Sequence, residues 1–134
     1  MNETIEDFVE MLINWTKDKK ANWEKVNPLQ YSRLLGRSIS NGKIVDAYYF
    51  KKKNSNDIAV VGRMEIRVYT DADEYYLEDD FFIVETDSTF NEPVAHFDKD
   101  EEISDFSFGL NLSRLYRLIK LSRKKTSGSY SDWL

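Results

Sequence analysis

The sequence predicts a two-layer α+β domain: an N-terminal helix, an antiparallel sheet of about four to six strands, and a C-terminal helix packed on that sheet. Three observations carry the prediction. Residues 58–69 read Ile-Ala-Val-Val-Gly-Arg-Met-Glu-Ile-Arg-Val-Tyr, and from Met64 on they alternate. Met64, Ile66 and Val68 point one way and Glu65, Arg67 and Tyr69 the other, a period of two that marks a strand with one dry face and one wet face. The segments around it read as further strands joined by short turns, a spacing that pairs neighbours antiparallel. Both ends of the chain carry apolar residues at helical spacing.

Helix signals open the chain. Thr4 followed by Asp7 matches a capping box, with Asp in place of the more usual Glu. Ile5, Phe8, Val9, Leu12 and Trp15 follow at helical spacing, and Glu6, Asp7 and Glu10 sit where carboxylates complement the helix dipole. The helix is expected to reach about Lys20 and to run on or kink through residues 21–26. Asn27-Pro28 is a fresh start signal, a cap residue followed by Pro at the first helical position. Leu29, Tyr31, Leu34 and Leu35 then form one or two turns ended by Gly36, with a strand beginning near Tyr31 as the alternative.

Strands follow. Asn41-Gly42 is the strongest turn dipeptide, with Ser38-Ile39-Ser40 a candidate strand before it and residues 43–50 a strand after it. Polar residues 51–57 join that strand to residues 58–69 as a hairpin, with Gly62 a candidate bulge. Residues 71–74 are a turn. Tyr75 to Leu77 start the next strand, Asp79-Asp80 interrupts it, and Phe81 to Val84 form its core. Residues 87–93 are a loop, 94–97 a short strand, and 103–108 alternate again with Phe106 and Phe108 on one face. Asn111 or Ser113 opens the last helix, whose apolar stripe is Leu112, Leu115, Leu118 and Ile119. Residues 1–126 read as one domain and 127–134 as a short tail.

Composition narrows the chemistry. The chain has 134 residues, 41% hydrophobic and 32% charged, with 14% aromatics dominated by Tyr and Phe. That length suits one domain with an ordinary core, and the aromatics favour strands. There is no Cys, so disulfides and thiolate chemistry are excluded. The acidic start lacks the regions of a signal peptide, and no apolar run approaches the ~18 residues that span a bilayer, so a cytoplasmic protein without membrane contact is expected. The preference for Lys, Asn and Ile over Arg and Ala suggests an AT-rich bacterial or phage genome.

No motif names a reaction. There is no dinucleotide fingerprint, Walker loop or zinc-protease motif. Asp71 and Asp73 begin like a calcium loop, but Tyr76 stands at the glycine position and Phe82 at the final Glu position, so the motif fails. Asp79, Asp80, Glu85 and Asp87 bracket a strand beside Glu65 and could bind a metal or act as acid and base, yet Asp79 and Asp80 face opposite sides of an extended backbone. A charged edge is the simpler account of them. His96 is the one histidine, read as a surface or rim residue. No cofactor is expected. A pocket between helix and sheet, lined by Trp15, Trp23, Tyr48 and Phe50, stays open as an alternative to plain core packing.

Charge is segregated beneath a net −5. Residues 71–105 carry many carboxylates and one basic side chain, Lys99, whereas residues 114–125 carry six basic residues and no acid. Arg114, Arg117, Lys120 and Lys124 recur along one helical face, which could follow a phosphate backbone or simply be a solvated face. Net acidity disfavours nucleic acid. The acidic stretch is interleaved with aromatics, and Tyr75, Tyr76, Glu78, Asp79, Asp80 and Phe90 are the candidate partner-binding face for a protein with a basic surface. Tyr130 and Trp133 are bulky for a tail and are candidate anchors, on the domain itself or on a partner. The favoured expectation is a non-catalytic protein-interaction module, a small bacterial or phage inhibitor, immunity or adaptor protein. A carboxylate-dependent, metal-assisted enzyme and a nucleic-acid-binding domain are the alternatives.

Overall fold

The computed structural model describes residues 4–35, 42–97 and 106–124. Their order is α1 (Ile5–Lys17), β1 (Glu24–Lys25), a 3₁₀ turn (Pro28–Gln30), α2 (Tyr31–Leu34), β2 (Gly42–Lys51), β3 (Asp57–Tyr69), β4 (Tyr75–Asp87), β5 (Val94–Phe97) and α3 (Phe106–Lys124). The five strands form one antiparallel sheet in sequence order. With α1 and α3 packed together on one face, this is the expected two-layer α+β arrangement.

The local signals at the N-terminus act as the sequence implies. Thr4 Oγ1 accepts the Asp7 N–H at 3.2 Å and Asp7 Oδ2 accepts the Thr4 N–H at 3.2 Å, closing the capping box. The helix stops at Lys17, earlier than expected, and Lys19 takes a φ of 61° where the chain turns away. Residues 24–25 are not helix but a short edge strand paired with Tyr48 and Tyr49, because Trp23 and Val26 are buried on either side of it. Asn27 Oδ1 accepts the Leu29 N–H at 3.0 Å and so opens the 3₁₀ turn.

Apolar residues are buried on both faces of the sheet, not one. The run Ile58 to Val61 is buried throughout. Ala59 and Val61 join Ile83, Tyr48 and the helices, in a cluster with Val9 and Leu12 from α1 and Phe108, Leu112, Leu115 and Ile119 from α3. Ile58, Val60 and Met64 join Phe82, Val84, Val26 and Leu34 on the second face. The face expected to be wet, that of Glu65, Arg67 and Tyr69, is therefore the helix side, since it continues the Ala59–Val61 parity. Alternation from Met64 on reflects a strand leaving the helix layer, and the unbroken run before it is the signature of two-sided burial. Burying side chains such as Leu112 and Leu115 contributes about 1.5–3 kcal/mol each, and Leu112→Ala would cost about 2–5 kcal/mol through the cavity it leaves.

A bulge sets the phase of β2. Ile44 is opposite Met64, but Asp46 is opposite Arg63, so Val45 is an extra residue. Without it Asp46 would share the second face with Ile44. With it, Asp46 points to the helices. The bulge lies on β2, not at Gly62 as the sequence suggested. Gly62 answers a different need: a Cβ there would meet the Phe82 ring at 2.5 Å and the Asp46 carbonyl oxygen at 2.6 Å.

Two further elements differ from expectation. β4 is continuous through Asp79 and Asp80, because Asp79 pairs with Arg63 at 2.8 Å and Asp80 is buried on the other face. α3 begins at Phe106, so Phe106 and Phe108 are helical, and Phe108, Leu112, Leu115 and Ile119 form one buried stripe. The expectations for Ser38-Ile39-Ser40, Asn41, Gly36, residues 103–105 and the tail residues Tyr130 and Trp133 lie outside the described residues. No helix among the described residues is long and apolar enough to cross a membrane.

Candidate functional site

The β3–β4 hairpin reaches past the rest of the described sheet. β2 ends its pairing with β3 at Gly42 opposite Ile66, and β5 pairs with β4 only at Phe82 to Glu85. Beyond these limits Arg67, Val68 and Tyr69 pair with Leu77, Tyr76 and Tyr75 as a two-stranded arm. Tyr69, Tyr75, Tyr76 and Leu77 are 51%, 52%, 53% and 58% exposed at its end. Tyr69 and Tyr75 face each other with ring centroids 5.4 Å apart, and the Arg67 guanidinium lies 5.6 Å from the Tyr75 ring. The turn that closes the arm carries Asp71, Asp73 and Glu74, all exposed.

The six candidate partner-binding residues do not share one face. Strand alternation puts Tyr75 and Asp79 on the helix side and Tyr76, Glu78 and Asp80 on the second face. Tyr75 and Tyr76 are exposed, Glu78 is half-buried, and Asp79 is held by Arg63. Asp80 is buried, and its Oδ1 finds no hydrogen-bond partner among the described residues. Phe90 lies in the β4–β5 loop with a φ of 58° and packs on the second-face cluster. The two tyrosines remain together at the arm's end.

The candidate basic face of α3 also divides. Arg114 and Arg117 are exposed between the exposed Leu110 and Leu121. Lys120 instead turns toward the sheet, with Nζ 3.6 Å from Asp46 Oδ2 and 5.4 Å from the centre of the Tyr116 ring. Lys124 is the last residue of the helix, and its side chain lies outside the described residues.

Lys120 joins a polar group that reading the sequence did not find. Asp46, turned inward by the bulge, accepts the Tyr116 hydroxyl at 2.5 Å on Oδ1 and the Tyr48 hydroxyl at 3.3 Å on Oδ2. Arg63, on the neighbouring strand, links this group to Asp79 and lies against the Tyr116 hydroxyl. Arg123 closes one side, donating to the Trp23 carbonyl at 2.7 Å with its guanidinium 5.3 Å from the Tyr48 ring centre. Burial first, and then the bond to Asp46, push the Tyr116 phenol far above the ordinary tyrosine range, against the opposing pull of Arg63. Burial and then the Asp46 charge raise Tyr48 and Tyr31 in the same way. Tyr116 and Tyr48 are therefore neutral donors over the whole physiological range, and Asp46 accepts from both. Chemically the group locks α3 to β2 and β3. The sequence held one trace of it, an Asp inside an otherwise apolar and aromatic strand.

The other candidates remain apart. His96 is half-buried, with Nε2 4.0 Å from Glu85 Oε2. Among the described residues, no three His, Asp or Glu side chains converge as a metal-binding set. No protein-family model, no curated protein and no solved structure matches this chain.

Proposed function

We propose that the protein is a non-catalytic interaction module that docks a protein partner with a basic surface through the end of its β3–β4 arm. The observation that carries this reading is the exposure of Tyr69, Tyr75 and Leu77 on one face of the hairpin end, with Tyr76 exposed on the other. Isolated exposed apolar residues are ordinary, but two tyrosines and a leucine on one face, with a third tyrosine at the same end, form the kind of anchor group that protein interfaces use. The carboxylates Asp71, Asp73, Glu74 and Glu78 around them supply an acidic rim, which steers a basic partner and fixes its register. A small inhibitor, immunity or adaptor protein has this form. The nucleic-acid alternative has less support, because Lys120 is engaged with Asp46 rather than presented outward.

The test places a photo-crosslinking phenylalanine at position 76, and in a second variant at Leu121 on the outer face of α3. Both are used in nuclease-treated lysate of the source cell. The expected result is one crosslinked protein from position 76, joined through a basic segment, lost at high salt and lost on Tyr69→Ser with Tyr75→Ser. Those two substitutions remove the Tyr69–Tyr75 ring pair at an exposed hairpin end and should cost about 0.5–1.5 kcal/mol, with the buried clusters of the sheet untouched. Crosslinks from Leu121 alone, or from neither position, would refute the reading.

A further inference from the structure

At the far end of β3 and β4, about 40 Å along the strands from the tyrosine arm, a cavity of about 570 Å3 opens between α1 and the β4–β5 loop. Its size is that of a small-molecule site. The inner wall is apolar and largely aromatic: Phe8, Met11 and Trp15 from α1, and Phe50 from β2. The Trp15 and Phe50 rings pack against each other, 6.1 Å apart at 49°, and Phe50 also packs on Trp23 at 5.7 Å, so the wall is a connected aromatic surface. Of the four aromatics that the sequence offered as pocket lining, Trp15 and Phe50 line this cavity, whereas Trp23 and Tyr48 are buried in the helix-side cluster.

The rim has the opposite character. Asp57, Glu85, Asp87 and Glu92 line it with one basic residue, Lys52. Strand register gives this crowding a cost. Asp57 is directly opposite Asp87, and Glu85 lies two residues along the same face, so three carboxylates share one face at adjoining positions. Like charges directly opposed across a ladder repel. Asp87 is firmly ionised, since bonds from Thr89 and Asn91 hold its carboxyl below the usual range.

We propose that this cavity binds a small organic cation, an ammonium group carried on an aromatic or alkyl body. The carboxylate rim attracts the positive charge and relieves the repulsion between Asp57 and Asp87. The aromatic wall takes the apolar body and adds cation–π attraction at its faces. A neutral ligand of the same shape would use the wall alone, and an anion would be repelled at the rim. The site is separate from the arm, so the two readings stand or fall independently.

The test titrates phenethylammonium, 2-phenylethanol and phenylacetate into the full chain while NMR follows the indole N–H of Trp15. Trp23 is the reference for folding: its indole N–H is bonded to Thr16 Oγ1 at 3.0 Å inside the core, and its ring, 5.7 Å from Phe50, senses the cavity only through that residue. The expected result is a saturable shift at Trp15 and at the amides of Glu85 and Asn91 with the ammonium. The alcohol should bind about tenfold more weakly, phenylacetate should leave Trp15 in place, and Trp23 should move less than Trp15. Glu85→Gln combined with Asp57→Asn should weaken the ammonium about tenfold, with an undisturbed Trp23 resonance reporting that the variant is folded. Equal binding of alcohol and ammonium, equal shifts at Trp15 and Trp23, or no saturation in the millimolar range would each overturn the proposal.

Discussion

Tyr116 on the last described helix donates its hydroxyl to Asp46 on β2 at 2.5 Å, a buried bond between residues 70 apart in the chain. Removing the hydroxyl leaves a buried carboxylate oxygen short of its main donor. Tyr116→Phe should therefore cost about 1–3 kcal/mol in a urea titration. The double-mutant cycle with Asp46→Asn should show coupling of at least about 0.5 kcal/mol, since the two groups share one network. Additive effects would mean that the bond contributes nothing specific.

Stability should fall on the alkaline side. Burial first, and then the neighbouring Asp46, raises the folded-state pKa values of Tyr116, Tyr48 and Tyr31 above the ordinary tyrosine value of about 10. A raised value means that the folded chain keeps a proton the unfolded chain has released. The contribution is whole below pH about 10 and is lost progressively above it. Thermal melting between pH 8 and 11.5 should show a declining Tm from about pH 10 upward, and the decline should be shallower in Tyr116→Phe.

Gly62→Ala tests the close approach of strands at the bulge. The new methyl would meet both the Phe82 ring and the Asp46 carbonyl oxygen well inside contact distance. The carbonyl belongs to backbone that the ladder holds, so it cannot swing away as a flexible side chain would. A loss of about 1–3 kcal/mol is expected by chemical denaturation. The accompanying shift should appear at the Tyr116 and Tyr48 resonances, because displacing Asp46 disturbs both bonds.

The loop after β4 has its own acid limit. Asp87 Oδ1 accepts the Thr89 N–H at 2.9 Å, the Thr89 hydroxyl at 2.6 Å and the Asn91 N–H at 3.1 Å. The Thr89 side chain first, and then the Asn91 backbone, lower its pKa below the ordinary aspartate range. A lowered value means that ionised Asp87 supports the folded loop. That support is present above the ordinary carboxylate range and lost as pH falls through the depressed value. Protection of the Thr89 and Asn91 amides, taken relative to the intrinsic exchange rate at each pH, should fall in that acid window ahead of Val60 and Val61, and Asp87→Asn should show the lower protection already at neutral pH.

How much of this was legible in the sequence depends on whether the deciding contact is local. The capping box of Thr4 and Asp7, the Asn27 cap and the strand segments were legible, because each rests on neighbours a few residues away. The two-sided sheet was half legible. The run Ile58 to Val61 announces it, but the alternation after Met64 belongs to the arm, where the helix layer has ended, and it pointed to a single dry face. The start of α3 was obscured by Gly109, whose helix propensity is poor, although Phe108 continues the stripe of Leu112 and Leu115. The Asp46 group could not be read at all. Its carboxylate faces the helices only because Val45 shifts the register, and Tyr116 and Lys120 arrive some 70 residues later. At the arm, composition showed aromatics among acids, but only the strand pairing separates Tyr75 and Asp79 from Tyr76 and Asp80.

The two clusters on either side of the sheet are not completed together as the chain is made. Every described member of the second-face cluster, from Val26 to Phe97, has been synthesised once β5 is finished. The helix-side cluster still lacks Phe108, Leu112, Leu115, Tyr116 and Ile119 at that moment. On the ribosome, where N-terminal parts gather first, the nascent sheet has one face able to close and one still waiting. Until α3 is made, Asp46 lacks Tyr116 and Lys120, two of the partners it has in the finished protein. A chain stalled before α3 would expose Ala59, Val61 and Ile83 beside an unmatched carboxylate, a state that chaperones and proteases would distinguish from the finished protein.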